Sequence, residues 1–273
     1  VFVVFKNEVG QAEYVHDVIS DSPDSLFSVF TSHPKQWAVR SSAEGTYYLK
    51  TTKNRNLKAE LKNIPEPMVL KGDWEVRFDP INSLSPFQEK FIKLESWSRH
   101  PDERVKYFSG TATYRKTVKI PKENLREGIE VILDLGKVRD LAEVFVNGQS
   151  TTVLWHMPYI CDITKNVKKG NNVIEIAVTN TWANRLIGDE QYPDDCEWGN
   201  SVLFHRVNEY GVKPPVGKPL KRLLDWIIKN RQRPSGQRTT FSSWNYFTKE
   251  SPLQESGLLS EVKLIYEGVI NFK

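Results

Sequence analysis

The sequence predicts an all-β protein, a small N-terminal β region followed by a larger β-sandwich. Three observations carry that reading. Residues 114 to 120 alternate Tyr114, Lys116, Val118 and Ile120 against Arg115, Thr117 and Lys119, a period of two with one largely apolar face. Short β-branched runs recur between turn residues, at Glu130 to Leu135, Ala142 to Val146 and Val173 to Val178. Asn147-Gly148 closes the second of these runs, and such a pair tolerates positive φ at both central positions of a tight hairpin turn.

The remaining elements follow in order. Val1 to Phe5 reads as a strand at the very start. Phe27 to Phe30, Tyr47 to Leu49 and Leu57 to Leu61 are short β pieces. Asn63-Ile64-Pro65-Glu66-Pro67 places two prolines in three residues, which favours an extended connector. The predicted division is therefore residues 1–66, a small β region with its connector, and residues 67–273, the sandwich. Lys71 to Phe78 opens the second part, and Glu261 to Tyr266, alternating Val262, Leu264 and Tyr266, closes its sheet. One helix is expected over residues 219–230: Pro219 suits a first turn, Leu220, Leu223, Leu224 and Ile227 follow at helical spacing, and Pro234-Ser235-Gly236 ends it.

Composition narrows the function classes. Of 273 residues, 39% are hydrophobic and 11% aromatic, enough for a substantial core. Thirty-eight basic against 34 acidic residues leave a mixed surface without a basic block, which argues against a nucleic-acid partner. No apolar run approaches a membrane span, so no membrane partner is expected. The chain opens without Met on a strand, which predicts a piece of a longer protein. The two cysteines, Cys161 and Cys196, have no metal-ligand spacing; Cys161 reads as a small buried hydrophobe, and a Cys161–Cys196 disulfide is left open.

Several segments resemble the galactose-binding-like jelly roll that accompanies many glycoside hydrolases. They are Gly72-Asp73-Trp74-Glu75-Val76, Tyr107 to Ala112, Asn147-Gly148, Asp162-Ile163-Thr164, Asn184 to Asp189, Thr240 to Trp244, and Ser256-Gly257-Leu258-Leu259. In this order they are similar to the C-terminal part of alpha-L-rhamnosidase-like proteins of glycoside hydrolase family 106. The Asn184 to Asp189 segment and the Ser256 to Leu259 ending are the narrower signals. Ser260-Glu261-Val262 departs from the Gly-Pro-Val that usually follows in that family. The resemblance implies a bacterial, secreted or periplasmic parent whose catalytic carboxylates lie on a barrel domain elsewhere. It implies no catalytic residue in this chain, and as partners a carbohydrate and the parent's catalytic domain.

Two constellations remain. Trp155, His156, Tyr159, Asn180, Trp182, Asn184 and Arg185 combine flat apolar rings with amide and guanidinium donors, the pairing that a sugar's C–H face and hydroxyl fringe require. They are the candidate carbohydrate-binding residues. The opposing reading packs Trp155 and Trp182 under loops and pairs Arg185 with Asp189, and His156 alone reads as structural. The acid-rich stretch Asp189 to Glu197 reads as a solvated loop, with a structural calcium as the other reading. The predicted function is a non-catalytic accessory region of a glycoside hydrolase. The alternatives are an autonomous carbohydrate-binding module and a ligand-free scaffold.

Overall fold

In the computed structural model, residues 13–22, 27–33, 36–80, 85–200, 217–231, 233 and 236–273 are described. The expected strand at Val1 to Phe5 and the Pro234-Ser235 part of the helix stop lie outside them.

Two antiparallel sheets face each other. The first runs Gln149–Leu154, Leu141–Val146, Gly170–Thr179, Gly110–Ile120, Trp74–Pro80 and Phe87–Phe91, in that spatial order. The second runs Ile160–Asp162, Ile129–Asp134, Lys263–Asn271, Gln36–Ser41 and Phe27–His33, with Met68–Val69 also on the Lys263–Asn271 strand. Inward residues from both, among them Trp74, Val76, Tyr114, Ile176, Val131, Leu133, Leu264 and Tyr266, form one core. Alternation predicts this, since every second side chain of a strand meets the same face. Lys116 stands in the inward row of Gly110–Ile120 but is only partly buried. Its Nζ donates to the carbonyls of Gly72 and Asp73 and lies 5.0 Å from the Trp74 ring centre.

The turn motifs build the frame. Asn147 (φ +54) and Gly148 (φ +80) make the hairpin between Leu141–Val146 and Gln149–Leu154. The Asn147 side chain also accepts from Val173 N and donates to Asn172 Oδ1, stitching the hairpin to the neighbouring strand. Asp162 Oδ1 accepts from Thr164 N, and Thr164 Oγ1 accepts from Val131 N, so this motif caps a strand crossing. These motifs are architectural.

The N-terminal strands Val15–Ser20, Gly45–Thr51 and Asn56–Leu61 form a third, small sheet. A second core of Trp37, Val39, Tyr47, Leu49, Ala59, Leu61 and Phe272 lies over it. The strand Lys263–Asn271 serves both regions: Lys263 to Gly268 pairs with Ile129–Asp134, and Gly268 to Asn271 pairs with residues 38–41.

The helices differ from expectation. Pro219 is in a two-residue strand paired with Trp244, and only Asp225–Ile228 forms a helical turn, ending before Asn230 at φ +48. Leu220 is drawn instead into a bridge with Trp198, which removes the first apolar position of the predicted helix. A longer helix, Ala183–Asp189, occupies a stretch to which the sequence reading assigned no element. Its buried Ala183, Asn184, Ile187 and Gly188 recur at helical spacing, but only Ala183 and Ile187 carry apolar side chains, so the pattern is faint.

Candidate functional site

The strand register brings the two Trp-bearing segments to one end of the sandwich. Leu154 pairs with Ala142, Ala142 with Val178, and Val178 with Ala112, so one row crosses four strands. Trp155 follows this row on the edge strand, and Asn180 to Arg185 follows it two strands away. Such ends, where strands give way to loops, are where ligands are commonly met.

The seven candidate residues separate into two groups. Trp155 is 71% exposed and Trp182 is 41% exposed, so neither packs under a loop. His156 is exposed beside Trp155, their rings 4.7 Å apart and edge-on, with its Nδ1 2.8 Å from the Met157 carbonyl oxygen. The other four are held by the fold. Tyr159 is buried and donates its hydroxyl to the Asp140 carbonyl. Asn180 accepts from Gly110 N and donates to Phe108 O and Ser256 Oγ. Asn184, 1% exposed, accepts from Gln254 N and donates to Gln254 O and Ser256 Oγ. Arg185 pairs with Asp189 at 2.9 Å and sits over the Tyr107 ring.

Ser256 is the hub that sequence reading missed. Its Oγ meets Asn180 and Asn184, and its N donates to Ser96 Oγ. The next residue, Gly257 (φ +94), lies so close to Trp97 Nε1 and Tyr114 Oη that a Cβ there would collide with both. Tyr114 Oη in turn accepts from Trp97 Nε1 and Leu258 N, and burial pushes its phenol well above the usual range. The Ser256 to Leu258 motif was legible, but its partners Ser96, Tyr114, Asn180 and Asn184 are more than 70 residues away in sequence.

The acid-rich stretch is solvated only in part: Asp194 and Glu197 are exposed, while its other acids are held by partners from the chain. Buried Asp189 accepts from Thr239 N, Thr240 N and Thr240 Oγ1 as well as from Arg185. Arg238 donates to Glu190, Asp194 and the Pro193 and Tyr192 carbonyls. Arg233 grips Asp195 with two nitrogens at 2.6 and 2.9 Å and donates a third bond to Thr240 O. Buried carboxylates require such partners, and arginine's fork supplies them in pairs. Among the described residues no group of three or more His, Cys, Asp or Glu is arranged to hold a metal ion. Of the carboxylates that the calcium reading invoked, Asp189, Glu190, Asp194 and Asp195 pair with arginines and Glu197 pairs with Lys221. Cys161 and Cys196 are both free thiols, each pushed up to about 11, chiefly by burial.

Residues 88–212 match the protein family described as glycosyl hydrolase 2 galactose-binding domain-like. The fold is a galactose-binding-like β-sandwich. A putative beta-glucuronidase of Formosa agariphila is 39% identical over 220 residues, which is 81% of this chain and 17% of that protein. A beta-glucuronidase of the same organism is 34% identical over 86 residues, 30% of this chain and 8% of its own length. The structure of a rhamnosidase from Novosphingobium sp. PP1Y superimposes with a TM-score of 0.54 at 23% identity, over 90% of this chain and 25% of that one. That likeness is one of fold. The galactose-binding-like sandwich relates this chain to glycoside hydrolases and is distinct from a catalytic barrel. The chain spans less than a fifth of its first curated relative.

Proposed function

We propose that this chain is a non-catalytic accessory region of a glycoside hydrolase, positioned beside the parent's catalytic domain and in contact with its carbohydrate substrate. The observation that carries this reading is the match of residues 88–212 to a galactose-binding-like domain of glycosyl hydrolases. The fate of the acids supports it further. Hydrolysis of a glycosidic bond uses a pair of carboxyl groups across the scissile bond. Asp189, Glu190, Asp194 and Asp195 are instead committed to arginine.

The parent we infer is an alpha-L-rhamnosidase-like protein of family 106, bacterial and exported. Its support is the pair of narrow motifs, Asn184 to Asp189 and Ser256 to Leu259, which meet in one hydrogen-bond network. The names of the two curated relatives favour a glucuronide as the competing substrate. The sugar-contacting residues in this reading are Trp155, His156 and Trp182, whose rings stand open at one end of the sandwich. Tyr159, Asn180, Asn184 and Arg185 set the backbone beneath them. In this reading the chain divides at residues 66 and 67 into a small β region and the sandwich, and the closing strand, with Phe272 after it, reaches into the core of the first part.

Calorimetric titration of the chain with rhamnogalacturonan oligosaccharides and with glucuronides tests this, alongside Trp155→Ala and Trp182→Ala. Both variants are expected to fold normally, because exposed positions tolerate truncation within about 0.5 kcal/mol. Affinity that disappears in either variant identifies an autonomous carbohydrate-binding module, which the exposure of Trp155 favours. Turnover of any rhamnoside or glucuronide by the chain, above a heat-inactivated control, would overturn the accessory reading.

A further inference from the structure

The connection from the strand Gly170–Thr179 to the closing strand Lys263–Asn271 is far longer than a sandwich needs. Its described residues line a half-open cavity of about 270 Å³. We propose that this cavity is a binding site for a single neutral pyranose ring, separate from the Trp155 and Trp182 surface. The proposal takes its ligand class from the carbohydrate-associated reading above; the site itself rests on the following geometry.

The size suits one ring, since pockets for larger ligands start at about 300 Å³. One wall is aromatic. Trp244, Tyr246 and Phe247 form a strip with ring centres 5.7 and 4.6 Å apart along it. Phe241 and Tyr246 line the cavity and yet are 45% and 44% exposed. Folding leaves aromatic rings around a hollow uncovered only at a cost, and a sugar's C–H face covers them. The strip is pre-set: Trp244 packs so tightly on Gly217 that no side chain fits between them. Asn245 adds an amide to the same lining, the kind of group that fixes sugar hydroxyls.

The opposite wall decides the charge of the ligand. Arg233 and Arg238 reach the cavity, but their guanidinium groups already hold Asp195, Glu190 and Asp194. Four carboxylates of this cluster, with Asp189, face three guanidinium groups, Arg185, Arg233 and Arg238. An incoming uronate would compete with carboxylates supplied by the chain itself. A neutral ring, bonding to the Asn245 amide and stacking on the strip, meets no such competition.

Cys196 lines the cavity as a free thiol and Cys161 is buried in the main core, so the protein carries its own reporter and control. Iodoacetamide alkylation of each cysteine would be followed by peptide mass spectrometry at mildly alkaline pH. Methyl α-rhamnoside, methyl β-galactoside, methyl β-glucoside and glucuronate would be present in turn at up to tens of millimolar. At least one neutral glycoside is expected to slow Cys196 alkylation severalfold while leaving Cys161 unchanged. Tyr246→Ala, a change at a half-exposed ring, should weaken that protection about tenfold, and Trp155→Ala should leave it intact. Equal protection by glucuronate would overturn the neutral class. Sugar affinity by calorimetry without protection of Cys196 would overturn the cavity site while leaving the accessory function standing. No protection by any sugar would overturn the site outright.

Discussion

At the scale of single residues, glycine and asparagine carry the most information because they do work that other residues cannot. Gly257 illustrates this. Its φ of +94 strains any residue with a side chain, and the space where a Cβ would stand is filled by Trp97 and by Tyr114 Oη at 2.7 Å. Gly257→Ala should therefore cost about 2–4 kcal/mol, combining backbone strain with overpacking. Urea unfolding followed by tryptophan fluorescence checks it, and a loss below about 0.5 kcal/mol would show that the two rings relax freely. Asn180 and Asn184 are similar cases. As residue types they suit a sugar's hydroxyls equally well. Burial turns them into backbone clamps, since an amide enclosed by protein must spend its donors and acceptors there.

At the scale of elements, the connection between the last two long strands is held by arginine clamps more than by regular structure. Asp195 shows how that should respond to acid. The hydrogen bonds from Arg233 hold its carboxyl below the ordinary aspartate range, with the charges of Arg233 and Arg238 adding and burial opposing. A folded value below the unfolded one, about 3.9, means the stabilisation is complete above that pH. It is lost as pH falls through the folded value. Asp195→Asn should accordingly melt below the unmodified protein at about pH 6, and the gap should close toward about pH 3. A gap that stays constant across that range would show the clamp to be energetically silent. The same element explains the misplaced helix: Leu220 bridges to Trp198 and Pro219 pairs with Trp244, so strand pairing captured the start of the apolar repeat.

At the scale of the whole molecule, the closing strand is what unites the two cores. Lys263–Asn271 pairs with the sandwich along its first part and with residues 38–41 along its end. Removing residues 1–66 would strip the pairing from Gly268 to Asn271 and uncover Ile270 and Phe272, which pack on Trp37, Tyr47 and Leu61. The truncated chain, residues 67–273, should self-associate through that open edge. Size-exclusion chromatography and thermal melting check this; a monomer with an unchanged melting temperature would make the two parts independent domains.

What the sequence by itself determined is the class of fold, the longest strands, and the turns at Asn147-Gly148 and Asp162 to Thr164. These depend on period-two alternation and on local turn chemistry, which neighbouring residues display directly. The tertiary structure decided the rest. It separated exposed Trp155 and Trp182 from buried Asn180 and Asn184, set Asp189 to Asp195 against Arg233 and Arg238, and shortened one helix while forming another. Each of these outcomes rests on partners tens of residues away, and whether a polar side chain faces a ligand or the backbone depends on what burial places beside it.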